Sequence, residues 1–211
     1  MEIKDVVGKY KLSGRSWYQR AVSGIKVITV HHTASRTQGS NEDKLRALMK
    51  THTDNGWPGL AYHFVITQDG TIYQVNNFVD VTWHDTINWD SLGIAMVGYF
   101  AEPYNATPTE KQLISLRALL DHLCNEHPEF PAGEANVYGH RERSSTACPG
   151  TLLPKVVEYR TKLGDVSWGS PTDYKKKYEE LLKDHEIALD HIENFIESMK
   201  QIRDIANKSL E

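Results

Sequence analysis

The sequence predicts an α/β domain, a mixed central β-sheet flanked by helices, followed by a C-terminal helix of coiled-coil character. Three observations predict it. Short apolar, β-branched runs alternate with longer segments whose apolar residues recur every three or four positions, and a hairpin signal sits among them. From Thr172 onward the chain instead turns charged, with a heptad-like apolar seam. At 211 residues, 39% of them hydrophobic and 25% charged, the chain suits one core plus an appendage. The predicted boundaries are a domain over 1–164, a linker over 165–171 and a helix over 172–211.

Residues 1–20 are weakly patterned and read as an arm across the domain. Val27–His32, VITVHH, is a buried strand that ends in two histidines. Residues 40–55 read as a helix with Ser40 as N-cap, Asp43 at the capping-box position, a Leu45, Leu48 and Met49 stripe, and Gly56 just past its end. Trp57-Pro58-Gly59 turns the chain into a hairpin of 60–67 and 72–75, closed by Gln68-Asp69-Gly70-Thr71. Residues 80–88 form a loop carrying Trp83 and His84. LGIAMVGYF at 92–100 is continuous enough to be a strand buried on both faces. Thr107-Pro108-Thr109-Glu110 predicts a helix start with Thr107 as cap, leading a stripe of Leu113, Leu116, Leu120 and Leu123. Residues 152–163 are the last helix of the domain, ended by Gly164.

The chemistry concentrates in VYGHRERSSTACPG, 137–150. It sets His140 eight residues before Cys148, a donor pair that suits a borderline-soft ion such as zinc but matches no zinc-finger spacing. A catalytic zinc takes three protein ligands and leaves one position open to water, so a third ligand is sought at VITVHH. Strand alternation puts His31 on one face and His32 on the other; geometry leaves the choice between them even. Cys124 sits in a leucine-rich helix, and both cysteines read as free thiols.

These two segments, with Tyr62-His63-Phe64, resemble in order the zinc amidase family of phage N-acetylmuramoyl-L-alanine amidases and animal peptidoglycan recognition proteins. The resemblance spans about Trp17 to Leu163. It implies a zinc centre of His31, His140 and Cys148, with His32 beside it. It implies catalytic roles for Tyr62 and for Thr146, two residues before the cysteine, where some phage members carry lysine. It also implies peptidoglycan as the substrate, cut between N-acetylmuramic acid and L-alanine, with Trp57, Trp83, His84, Asn88 and Arg141 as candidates for the substrate groove. One branch of the family places a glutamate general base after Gly93-Ile94. Here that residue is Ala95, which leaves His84 as a candidate for proton handling.

The expected activity is that of a phage endolysin. The rivals are a peptidoglycan-binding module without turnover and a structural zinc site closed by His32 or His84. A formal net charge of −4 opposes nucleic acid or an anionic membrane as partner. The first residues lack the apolar core of a signal peptide, so the expectation is synthesis in the cytoplasm and action on the cell wall after release. In the tail, Tyr178, Leu181, His185, Ala188, Ile192, Phe195, Met199, Ile202 and Ala206 alternate gaps of three and four. Leu182, Leu189 and Ile196 widen that stripe, which makes the tail a candidate for homo-oligomerisation, against the alternative of a helix packed on its own domain.

Overall fold

The computed structural model describes residues 1–35, 38–126, 136–162 and 200. The linker and the coiled-coil seam lie outside the described residues. The strands are β1 (Ile3–Asp5), β2 (Tyr18–Gln19), β3 (Val27–His32), β4 (Phe64–Ile66), β5 (Ile72–Gln74), β6 (Asp80–Val81), β7 (Ser91–Met96) and β8 (Val137–Gly139); the helices are α1 (Asn41–Asp54), α2 (Glu110–Glu126) and α3 (Leu153–Lys162). Six strands form one sheet in the order β1-β5-β4-β7-β3-β8, while β2 and β6 pair separately. β3 runs parallel to both β7 and β8, and β4 pairs antiparallel with β5, so the sheet is mixed as expected. No helix among the described residues is long and apolar enough to cross a membrane.

The two faces of the sheet are covered by different helices, and alternation decides which side chain goes where. Ile28, Val30, Phe64, Ile66, Ile94, Met96 and Val137 pack with Leu116, Leu119, Leu120 and Leu123 of α2 and Val156 of α3. Full burial of one such side chain contributes about 1.5–3 kcal/mol. Val65 points the other way, into a cluster with Leu45 and Leu48 of α1, Leu60, Val75 and Val97. β7 is buried along its whole length, as its unbroken apolar run predicts.

α1 starts as its sequence predicts. The Asp43 N–H donates to Ser40 Oγ (3.2 Å), and Asp43 Oδ2 accepts the Ser40 N–H (3.1 Å). The hairpin turn is tied by Asp69 Oδ1, which accepts from Thr67 Oγ1 and the Thr71 N–H, while Gly70 takes the positive φ of +84°. α2 starts later than predicted. Its cap is Thr109, whose Oγ1 accepts the Gln112 N–H (3.1 Å) while Gln112 Oε1 accepts the Thr109 N–H (3.1 Å). Gln112 is itself buried, and its amide nitrogen donates to the Ile66 and Val97 carbonyls. These sheet contacts select Gln112 as the third helical residue and leave Thr107 outside the helix.

Candidate metal centre

The site lies on the α1 face of the sheet, at the end of β3. The register places Thr29 opposite Gly93 and His31 opposite Ala95, so all four face the same side. β8 follows β3 only as far as the pair Val30 and Gly139. Beyond it the chain leaves the sheet in a single 3₁₀ turn, His140–Glu142, whose end is tied back by the Arg143 and Ser144 N–H groups donating to the His140 carbonyl. Glu142 braces the turn from the other side: it accepts the Gly139 N–H and pairs with Arg160 of α3 at 3.0 Å. The loop returns at Cys148, where Sγ accepts the His32 N–H (3.3 Å), and Thr151 N–H then donates to the Phe100 carbonyl.

Two chain segments more than a hundred residues apart thereby bring one ligand atom each from His31, His140 and Cys148 within 4.8 Å of one another. The His31 and His140 rings are 4.4 Å apart, and Cys148 Sγ lies 3.8 Å from His31 Nδ1. A tetrahedral ion with bonds of about 2.0–2.3 Å holds its donors roughly 3.3–3.8 Å apart, so the cluster fits such an ion with little adjustment. The electrostatics agree. Burial, then the neighbouring histidines, holds His31 well below its ordinary pKa, and burial likewise lowers His140. Both imidazoles are neutral at pH 7 and keep a lone pair. Burial pushes the Cys148 thiol up to about 12, so a thiolate there requires a cation at the sulfur.

His32 faces away from the cluster. Its Nδ1 accepts the Phe100 N–H (2.9 Å) and its ring packs on Tyr99 and Phe100. Among the described residues no fourth His, Cys, Asp or Glu joins the three donors, which argues against a closed structural site. The Tyr62 ring lies 5.3 Å from that of His31, and its phenol is raised above its ordinary pKa by burial first and Cys148 second. Thr146 Oγ1 accepts the Cys148 N–H (3.2 Å), which leaves the hydroxyl proton free to donate elsewhere.

The remaining candidates divide. Arg141 is exposed beside the cluster. Trp57 and Trp83 are half-buried and in edge contact with each other, with His52 behind Trp57 and Trp17 behind Trp83. Asn88 Oδ1 accepts the backbone N–H groups of His84 and Asp85, so that acceptor serves its own loop. His84 is buried: its Nδ1 is 3.1 Å from His31 Nε2, and its ring occupies the space a Cβ on Gly93 would need.

Sequence reasoning did not single out Asp85 or Arg143. Arg20 is buried and donates to the carbonyls of Phe78, Asn88 and Ser91, anchoring the loop that carries His84. Asp85 and Arg143 pair with each other across 58 positions of sequence. A partner that distant leaves no local signal.

The family model described as N-acetylmuramoyl-L-alanine amidase (Amidase_2) matches residues 20–151. Peptidoglycan-recognition protein SC1a of Drosophila melanogaster is 30% identical over 156 residues, which cover 70% of this chain and 81% of that protein. Among solved structures, N-acetylmuramoyl-L-alanine amidase LysC from Clostridium intestinale matches with a TM-score of 0.60 at 28% identity, covering 78% of this chain and 98% of its own. Drosophila peptidoglycan recognition protein SD matches with a TM-score of 0.63 at 21% identity, covering 74% and 94%, a likeness of fold alone. With a family model covering most of its domain and three motifs folded onto one face of the sheet, the chain belongs to the N-acetylmuramoyl-L-alanine amidase family.

Proposed function

We propose that this chain is a zinc-dependent amidase that hydrolyses the bond between N-acetylmuramic acid and L-alanine in peptidoglycan, acting as a phage endolysin. The observation that carries this reading is the convergence of His31, His140 and Cys148 with no fourth protein ligand among the described residues. Family membership and the likeness to LysC support the amidase class. The relatives named for peptidoglycan recognition support the substrate.

His31, His140 and Cys148 would hold a zinc ion, whose Lewis acidity would serve amide hydrolysis. The protein's own contribution comes from the groups around it. Tyr62, kept protonated by burial, donates a hydrogen bond toward the developing oxyanion and holds a proton for the leaving amine. The Thr146 hydroxyl, held in place by the Cys148 N–H, is a second donor and carries no charge. Its contribution is therefore smaller than a lysine's.

One observation favours the second reading, a module that binds peptidoglycan without turnover. Ala95, fully buried, stands directly beside His31 where a carboxylate base would face the site. The test is digestion of peptidoglycan with metal stripped and zinc restored, assayed for new L-alanine amino termini beside Cys148→Ser. Zinc-dependent release that is lost in the variant supports the amidase. Stoichiometric zinc binding with no new termini on any wall tested moves the binding module to first place.

A further inference from the structure

The metal ligands come from two segments, and beyond Gly139 the sheet no longer holds them together. The Cys148 Sγ contact with the His32 N–H is one tie between them, and a buried ionic contact is another. Asp85 lies in the loop before β7, and its side chain has no exposure to solvent. Its Oδ2 accepts from Thr29 Oγ1 (2.8 Å), and Thr29 lies two residues before His31 on the same face of β3. The same oxygen accepts from Arg143 Nε (2.5 Å), and Arg143 closes the turn that begins at His140. Arg143 Nη2 also donates to Asp90 Oδ1 (3.1 Å) and the Ile87 carbonyl (3.3 Å), and Ser144 Oγ reaches Asp85 Oδ1 (3.3 Å). Thr86 and Ser144 join the two loops through their hydroxyls. The residue preceding Asp85 is His84, which touches His31 from behind. One carboxylate thus bonds both to the strand that carries the first ligand and to the loop that carries the other two.

Burial acts to raise the pKa of Asp85. The hydrogen bonds from Arg143, Thr29 and the Thr86 N–H outweigh it and hold the group ionised. Asp85 is fully buried, and Arg143, which also pairs with the partly exposed Asp90, is held at several of its donors, so the pair is fixed by multiple contacts.

We propose that Asp85 and Arg143 are the positioning pair of the metal centre: by joining Thr29 to the His140 turn they set the separation of His31 from His140 and Cys148, and with it the affinity for zinc. The inference rests on the reading of these three residues as a zinc centre. Partners that orient metal ligands in this way typically change metal affinity about 10- to 100-fold when removed.

The experiment measures zinc affinity of the full chain by chelator competition near neutral pH, alongside the thermal midpoint of the metal-free protein. It compares wild type with Asp85→Asn, Arg143→Gln and the double variant. Each single variant is expected to bind zinc about 10- to 100-fold more weakly, and the double variant to lose less than the product of the two. If wild type binds no zinc, the reading of the centre fails and this inference fails with it. If wild type binds zinc and the folded single variants bind within about twofold of it, with only their thermal midpoints lowered, the pair is merely structural and the inference is overturned. Should either variant not fold, Thr29→Val removes the strand-side hydrogen bond alone. A several-fold loss of zinc affinity is then expected, and an unchanged affinity overturns the proposal.

Discussion

His52 makes the pH dependence of stability testable at one position. It sits in the last turn of α1, buried, with Nδ1 accepting the Ala61 N–H at 2.9 Å and its ring packed on Trp57 and Tyr62. Burial lowers its pKa from 6.5 to about 4. The folded value lies below the unfolded one, so the unfolded chain takes up the proton first as pH falls. Stability from this residue is therefore complete above about pH 6.5, declines through the window down to about pH 4, and is lower by about 3 kcal/mol below it. Between about pH 7 and pH 5 the loss is about 2 kcal/mol. His52→Gln keeps an acceptor for the Ala61 N–H and removes the titration. The assay is urea unfolding of the metal-free protein at both pH values, followed by tryptophan fluorescence. Other buried histidines, such as His32 and His84, weaken wild type and variant alike. The wild type should lose about 2 kcal/mol more than the variant over this interval, and an equal loss in both would falsify the assignment of His52 as a buried neutral acceptor.

Four further outcomes follow from named contacts. Tyr62→Phe keeps the ring packed on His31 and removes the phenol. Turnover should fall about 100-fold with zinc affinity unchanged, whereas a matching loss of zinc would make Tyr62 a structural residue. Gly150→Ala places a Cβ 1.8 Å from the Phe100 carbonyl oxygen at a φ of +64°, so strain and crowding together should cost about 2–5 kcal/mol in denaturant unfolding. Thr109→Ala removes the cap of α2 and should cost about 1 kcal/mol, while Thr107→Ala should change stability little; the reverse order would return the cap to Thr107. The seam in the tail predicts that light scattering finds the full chain larger than a monomer and a version ending at Gly164 monomeric. Equal stoichiometry of the two removes self-association through the tail.

Much of the fold was legible because its signals are local. The Ser40 and Asp43 capping box, the Asp69-Gly70 turn and the apolar run of β7 each depend on residues within a few positions; the first two formed as read, and the strand formed buried along its length but ends at Met96, short of the 92–100 expected. The start of α2 was not legible. Two threonines with suitable spacing compete there, and the choice falls to Gln112, whose amide reaches the Ile66 and Val97 carbonyls of a sheet assembled from elsewhere in the chain. The donor set was legible as residue types, but strand alternation alone could not choose between His31 and His32. Packing agrees with one of them: the His32 ring is spent on the Phe100 N–H on the face covered by α2 and α3, and His31, on the α1 face, is left to meet His140 and Cys148.

His84 marks the boundary between the two kinds of information. Its position on a loop was readable from sequence, whereas its burial behind His31 depends on the space that Gly93 leaves in the neighbouring strand. The sequence by itself determined the family, the order of elements and the chemistry of the donors, because motif and periodicity are carried by neighbours along the chain. Tertiary structure alone decided which residue caps α2 and which ion pair spans the two segments, and it supplied the physical reason for His31, which the family resemblance implied and strand alternation left even. Those outcomes turn on contacts between residues tens of positions apart, where burial makes each unpartnered polar atom costly and so selects one arrangement.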